Sequence, residues 1–347
     1  MRFYTKQHKF YCGIDLHTRK MYLCIIDQAD RVHFHGNMSC SPDNLMQAIS
    51  PFLEDIVIAV ECIFSWYWVA DFCAHHNIPF VLGHALYMKA IHGSKTKNDK
   101  IDSLKIAKLL RAGMISEAYV YPREMRSTRD LLRRRMFMVR KRSELLVHVQ
   151  NTNSQYNLPA FDARIDRKNN REKVAERFTD LSVRKSIETD LALLDAYGKE
   201  ISSVEWFIEK HARIHNAKDL CLLRTIPGIG KILALAILYE IHDINRFPQV
   251  QDFASYARLV RCMKESAGKK TGAGNRKMGN AHLKWAFSEA ACLFLRGNEP
   301  AKRYHARLVS KHGKGKALSI IAHKLGRAVY FMLKRGETFD MKQMLHH

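Results

Sequence analysis

Residues 9–35, KFYCGIDLHTRKMYLCIIDQADRVHFH, alternate apolar runs with short polar breaks at His17 to Lys20 and Gln28 to Arg31. That alternation predicts a meander of three strands. SPDNLMQAISPFLE follows as a helix, with Ser41 near its cap and Pro42 in its first turn. The unbroken β-branched run DIVIAVE, 55–61, has the character of a central strand buried on both faces. A helix over 65–76, a strand at IPFVLGH and a helix opening at TKNDKIDSLKIAKLL, 96–110, carry an alternating β/α pattern to about residue 115.

Three meander strands followed by βαβα is the element order of ribonuclease-H-like folds, so the N-terminal part is expected to be α/β of that kind. From residue 123 the texture changes. Residues 123–142 carry nine Lys or Arg against Glu124 and Asp130, and Leu131, Met138 and Leu145 recur at heptad spacing, which predicts a long basic helix. NLPAFDARIDRKNN, 157–170, breaks it with Pro159, and a second helical pattern runs over 171–213. Two helices about a polar connection imply an antiparallel pair or a coiled-coil dimerisation arm. The last third is mostly helical: LLRTIPGIGKILALAILYEI sets Pro227, Gly228 and Gly230 between two helical patterns, and a Gly- and Lys-rich loop over 266–280 precedes another helix. The expected division is 1–120, 121–215 and 216–347.

Composition narrows the function. With 57 Lys and Arg against 34 Asp and Glu, the net charge is +23, which makes a polyanion the natural partner. The eight cysteines form no C-x-x-C pair and no repeated spacing, which argues against a zinc ribbon or a disulfide framework and for a reducing compartment. No signal-peptide pattern opens the chain and no apolar run is long enough to span a membrane, so a cytoplasmic protein without a membrane partner is expected.

Four carboxylates stand out. Asp15 and Glu61 each close an apolar strand, and in a ribonuclease-H-like order those strands are neighbours. Asp99 and Asp102, at i and i+3, share a helix face with Cβ atoms roughly 5–6 Å apart. Four acids from three elements repel one another unless cations lie among them. Mg²⁺ is suited to oxygen ligands, with Mn²⁺ as substitute, and two such ions stabilise both the attacking and the leaving oxygen of a phosphodiester. Strand cleavage in nucleic acid is the chemistry that follows. Lys97 and Lys100 flank the paired acids as an approach for phosphate. The turn IPGIGKI resembles a helix-hairpin-helix turn, in which Gly228, Gly230 and Lys231 can meet a DNA phosphate. Arg133, Arg134, Arg135, Arg140, Lys141 and Arg142 cover several faces of the basic helix, and phosphate contact is expected there. In CMKESAGKKTGAGNRKMGNAHLK, Ser266 lies among Lys269, Lys270, Arg276 and Lys277; from residues alone a structural serine and a nucleophile both stand open.

GIDLHTRK, VECIFSWYW and TKNDKIDSLKIAKLL, followed by TIPGIGKILALAILYEI, FASYARLV and ESAGKKTGAGNRKMGNAHLKWAFSEAA, resemble the successive motifs of the DEDD transposases of insertion-sequence family one-ten. The resemblance runs over nearly the whole chain. It implies a RuvC-like N-terminal domain, a coiled-coil middle and a helical C-terminal transposase domain in which Ser266 is the nucleophile, working with Asp15, Glu61, Asp99 and Asp102. It further implies a structured noncoding bridge RNA as guide to donor and target DNA, and dimers that assemble into a tetramer. The chain departs from the family pattern where Ser266 is followed by Ala267 before Gly268, and where Arg258, Leu259 and Val260 stand in place of a Gly-Leu and Pro. Two alternatives fit the same residues: a metal-dependent, structure-selective nuclease of the RuvC type, and a non-catalytic nucleic-acid scaffold whose acids balance its lysines.

Overall fold

The computed structural model describes residues 2–85, 87–88, 98–260, 263–266, 268–273 and 278–346, with the side chains of 212–214, 263–266, 270–273 and 346 left aside. The chain forms two compact units, Met1–Arg123 and Glu124–His347.

In the first unit the meander appears as β1 (Phe10–Leu16), β2 (Lys20–Asp27) and β3 (Val32–Ser39), followed by β4 (Ile56–Glu61) and β5 (Phe80–Gly83). The sheet order is β3-β2-β1-β4-β5, so strands 1 and 4 are neighbours, as a ribonuclease-H-like order has them. β1 to β3 are antiparallel, whereas β4 runs parallel to β1 and β5 parallel to β4. Alternation along β1 explains why it is buried on both sides. Ile14 and Leu16 face one core, with Leu23, Ile58 and Val60, against the side bearing α1 (Pro42–Ile49) and α2 (Tyr67–His75). Tyr11 faces the other, with Val57, Ala59 and the Ile106, Ala107 and Leu110 side chains of α3 (Asp99–Arg111). Each such fully buried aliphatic side chain contributes roughly 1.5–3 kcal/mol. Ser41 caps α1 by accepting a hydrogen bond from the Asn44 amide at 3.2 Å.

The second unit is helical. The basic segment forms α4 (Arg123–Gln155), and the second helical pattern forms α5 (Leu181–Arg224). Arg135 pairs with Glu205, and His148 with Asp190, so α4 and α5 run antiparallel. Helix was expected from 171, but α5 starts ten residues later. Short 3-10 turns occupy Lys168–Asn170 and Ala175–Arg177, and Asp180 caps α5 by accepting from the Ser182 and Val183 amides. Asn216, at φ −157°, kinks α5. Then come α6 (Lys231–Ile241), α7 (Val250–Tyr256), α8 (Ala281–Phe294), α9 (Glu299–His312), α10 (Lys314–Arg335) and α11 (Met341–His346). From Leu233 to Ile241 every residue of α6 is buried, and with α8 and α10 it forms the main core. A second correction concerns the loop expected over 266–280: β6 (Met263–Ser266) and β7 (Lys269–Ala273) form an antiparallel hairpin there. Ser266 pairs with Lys269, and Gly268 between them has φ +72°, a left-handed conformation that glycine adopts without strain. Among the described residues no helix is long and apolar enough to cross a membrane.

Candidate active site

The site in the first unit begins with Gly13. A methyl group there would strike the Ser103 carbonyl and the Ala107 nitrogen of α3, so only glycine lets that helix lie directly on β1. Gly13 and Asp15 point to the same face, two residues apart on one strand. Asp99 lies one helical turn before Ser103, so the first turn of α3 comes to rest over the end of β1 that carries Asp15. Asn98 starts the helix by accepting from the Lys100 amide at 2.9 Å, which puts Asp99 and Asp102 at the positive helix end. His35 of β3 fastens the same turn, its Nε2 lying 2.9 Å from the Lys100 carbonyl and 3.3 Å from Ser103 Oγ.

Asp15, His17 and Asp99 thereby converge, each offering one donor atom within 4.8 Å of the others. His17 Nε2 lies 3.4 Å from Asp15 Oδ2 and 3.3 Å from Asp99 Oδ2. Asp15 is largely covered, its side chain 17% exposed, whereas that of Asp99 is 54% exposed and faces solvent. The β1–β4 pairing ends at Ile14–Val60, and Glu61, the last residue of β4, pairs with Gly83 of β5 and does not join the cluster of Asp15, His17 and Asp99. Asp102 has Lys105 Nζ 3.7 Å from its Oδ1. Carboxylate oxygens and one imidazole nitrogen make a donor set suited to a divalent cation. His17 had not been singled out from the sequence. Its signal was the D-x-H spacing, which returns it to the face of Asp15.

In the second unit, burial decides which cations are committed inside the fold. Arg129 and Arg133 of α4 both bind the buried Glu240 of α6, Arg133 Nε donating to Oε1 at 2.7 Å and Arg129 Nε to Oε2 at 3.0 Å. Burial alone would push the Glu240 carboxyl up, but the hydrogen bond from Arg133 and the two guanidinium charges outweigh it and hold the group at about 2. Asn280 donates to the same carboxylate at 2.7 Å and caps α8 through the His282 and Leu283 amides. This tie, also missed in the sequence, had its signal in a lone acid within the apolar run LALAILYEI. Arg135 is paired with Glu205, Lys141 with Glu144, and Arg142 donates to the Asp166 carbonyl, while Arg134 and Arg140 are exposed. At the glycine turn, Gly228 has φ +84° and a side chain there would strike the backbone of Leu293 and Phe294, so packing alone demands it. Gly230 caps α6, and Lys231 is paired with Glu209. Ser266 ends β6 and Lys269 is exposed on β7. Lys97, Arg276 and Lys277 lie outside the described residues, as do the side chains of Ser266 and Lys270.

Two family models match this chain. One, a DEDD transposase model of IS110 type, covers residues 12–157, and the other, described as "Transposase IS116/IS110/IS902 family", covers residues 221–306. The chain belongs to the IS110 family of transposases. It is 22% identical over 336 residues to the transposase for insertion sequence element IS1111A of Coxiella burnetii, spanning 94% of this chain and 90% of that protein. It is also 27% identical over 139 residues to the transposase for element IS1328 of Yersinia enterocolitica, covering 38% of this chain and 42% of that one. The DEDD match takes in β1 from Cys12 onward, β4, α3 and α4, so all four acids of this transposase lie within it, whereas the second match holds the Gly228 turn and Ser266.

Proposed function

We propose that this transposase cuts and rejoins donor and target double-stranded DNA, with Asp15, Glu61, Asp99 and Asp102 holding Mg²⁺ and Ser266 as the nucleophile. The observation that carries the reading is the meeting of Asp15 with Asp99, brought together from β1 and α3, with Glu61 ending the neighbouring strand β4. Mn²⁺ can substitute, and the bound ions supply charge stabilisation for the oxygens entering and leaving phosphorus. The acids would hold those ions, and the Ser266 hydroxyl attacks phosphorus: a bond from Ser266 Oγ to phosphorus forms as the bond to one DNA oxygen breaks, that oxygen leaves as an alcohol carrying the proton lost by the serine, and the other DNA end stays in the serine ester until rejoining. In this reading the first unit is a ribonuclease-H-like, RuvC-like domain over 1–120. Residues 121–215 are the coiled-coil helices through which dimers form and pair into a tetramer, and residues 216–347 are the transposase domain. A structured noncoding RNA guides the choice of donor and target, and the exposed cations, Lys100, Arg134, Arg140 and Lys269 among them, contact nucleic acid.

The test is a recombination assay with supplied guide RNA and both DNAs. Asp15→Ala and Ser266→Ala are each expected to abolish product, and a denaturation-resistant protein–DNA adduct is expected to vanish with Ser266→Ala. Undiminished product from either variant removes the assigned chemistry. Metal-dependent cutting by Ser266→Ala without any adduct in the unaltered protein would instead mark a RuvC-type nuclease that uses water.

A further inference from the structure

His17 occupies a place that the four acids do not account for. Its position is set by the backbone as well as by charge: the His17 amide donates to the Lys20 carbonyl at 3.0 Å, and Cys40 Sγ donates to the His17 carbonyl at 3.4 Å. The turn between β1 and β2 is thus tied on both sides, and it aims the imidazole between two carboxylates. The separations also fit a shared ion. Adjacent corners of an octahedron with bonds of 2.0–2.1 Å lie about 3 Å apart, close to the 3.4 Å and 3.3 Å from Nε2 to Asp15 and Asp99. An imidazolium merely balancing the two acids would leave an incoming cation bound by oxygen alone. An imidazole ligand would put nitrogen in its coordination shell.

We propose that His17 is a nitrogen ligand of the cation held by Asp15 and Asp99, and that it shifts the site's preference from Mg²⁺ toward Mn²⁺ and Co²⁺. The proposal rests on the reading of the acids as a metal site. Carboxylate oxygens alone suit Mg²⁺, whereas imidazole favours transition ions, whose affinity for a nitrogen donor rises along the series from Mn²⁺ to Co²⁺.

Mn²⁺ titration of the full chain, followed by electron paramagnetic resonance, tests both layers separately. In the unaltered protein, pulsed measurements are expected to show nitrogen coupling from a directly bound imidazole, and His17→Ala is expected to remove it. His17→Ala should weaken Mn²⁺ by about tenfold or more while Mg²⁺, read by competition, weakens by less than threefold. His17→Gln, which keeps a polar side chain at the turn, should likewise lose the imidazole coupling but still bind Mg²⁺. Bound Mn²⁺ without nitrogen coupling, coupling that survives His17→Ala, or equal weakening of both ions overturns the role of His17. If instead Mn²⁺ binding is absent, or unchanged in Asp99→Asn combined with Asp102→Asn, the acidic site itself fails and His17 falls with it.

Discussion

At the scale of single residues, Gly13 and Glu240 each carry a consequence out of proportion to their size. A methyl group at Gly13 would meet helix backbone, which cannot rotate away as a side chain can. Gly13→Ala is therefore expected to push α3 off β1, cost about 1–3 kcal/mol, and weaken divalent-cation binding, seen as a drop of several degrees in the melting temperature and a weaker Mn²⁺ titration. Gly198, inside α5, is the control, because a methyl group there would find nothing within 4 Å: Gly198→Ala should stabilise the protein by about 0.5–1 kcal/mol. Glu240 gives a pH dependence whose sign is fixed. Its carboxyl is held at about 2 against an ordinary 4.5, so its stabilising effect is present above pH 4.5 and is lost as pH falls through 2. Removing it leaves Arg129, a side chain only 10% exposed, without its counter-charge. Glu240→Gln should thus cost about 3–5 kcal/mol near neutral pH, and the difference in unfolding free energy between the two proteins should narrow as pH is lowered from about 5 toward 2.

At the scale of elements, the proposed metal site depends most on the first turn of α3. Asn98→Ala removes its cap at a cost of about 1 kcal/mol, and because Asp99 is the next residue, cation affinity should fall several-fold while the far-ultraviolet spectrum stays unchanged. Asn98→Asp, which can still cap, should restore it. The elements themselves were largely legible. β1 to β5 follow from alternation and from the β-branched run at 55–61, and the placement of Asp15, Glu61 and Asp99 follows from strand order and helix spacing. Three features were not, each for a physical reason. The start of α5 is set by Asp180, a cap that apolar periodicity over 171–180 does not reveal. The hairpin of β6 and β7 is short and polar, so no alternation announces it, and only the Ala267–Gly268 pair hints at a turn. The fate of the arginines on α4 depends on Glu240 and Glu205, 70 residues or more away in sequence, and charge density along one helix cannot show which cations a distant carboxylate will claim.

That distinction governs the molecule as a whole. A chain of net charge +23 has many cations, but only those not spent on internal pairs can displace counterions from DNA. Arg133 has two hydrogen bonds to the buried Glu240, whereas Arg134, next in sequence, and Arg140 are exposed on the same helix. Affinity for non-specific duplex DNA should fall steeply with salt, by about 10³–10⁵ between 50 and 200 mM if 6–10 phosphates are engaged. Combining Arg134→Gln with Arg140→Gln should flatten the slope of log affinity against log salt by about 2, near one unit for each phosphate no longer neutralised, and leave the melting temperature close to that of the unaltered protein. Arg133→Gln should do the reverse, lowering the melting temperature and leaving the slope of the remaining folded protein unchanged. Fluorescence anisotropy on one duplex across a salt series, paired with thermal melts of the same preparations, separates the two classes. An equal loss of slope from Arg133→Gln would mean that its guanidinium leaves Glu240 for phosphate when DNA binds, and that the buried pair is a feature of the free protein alone.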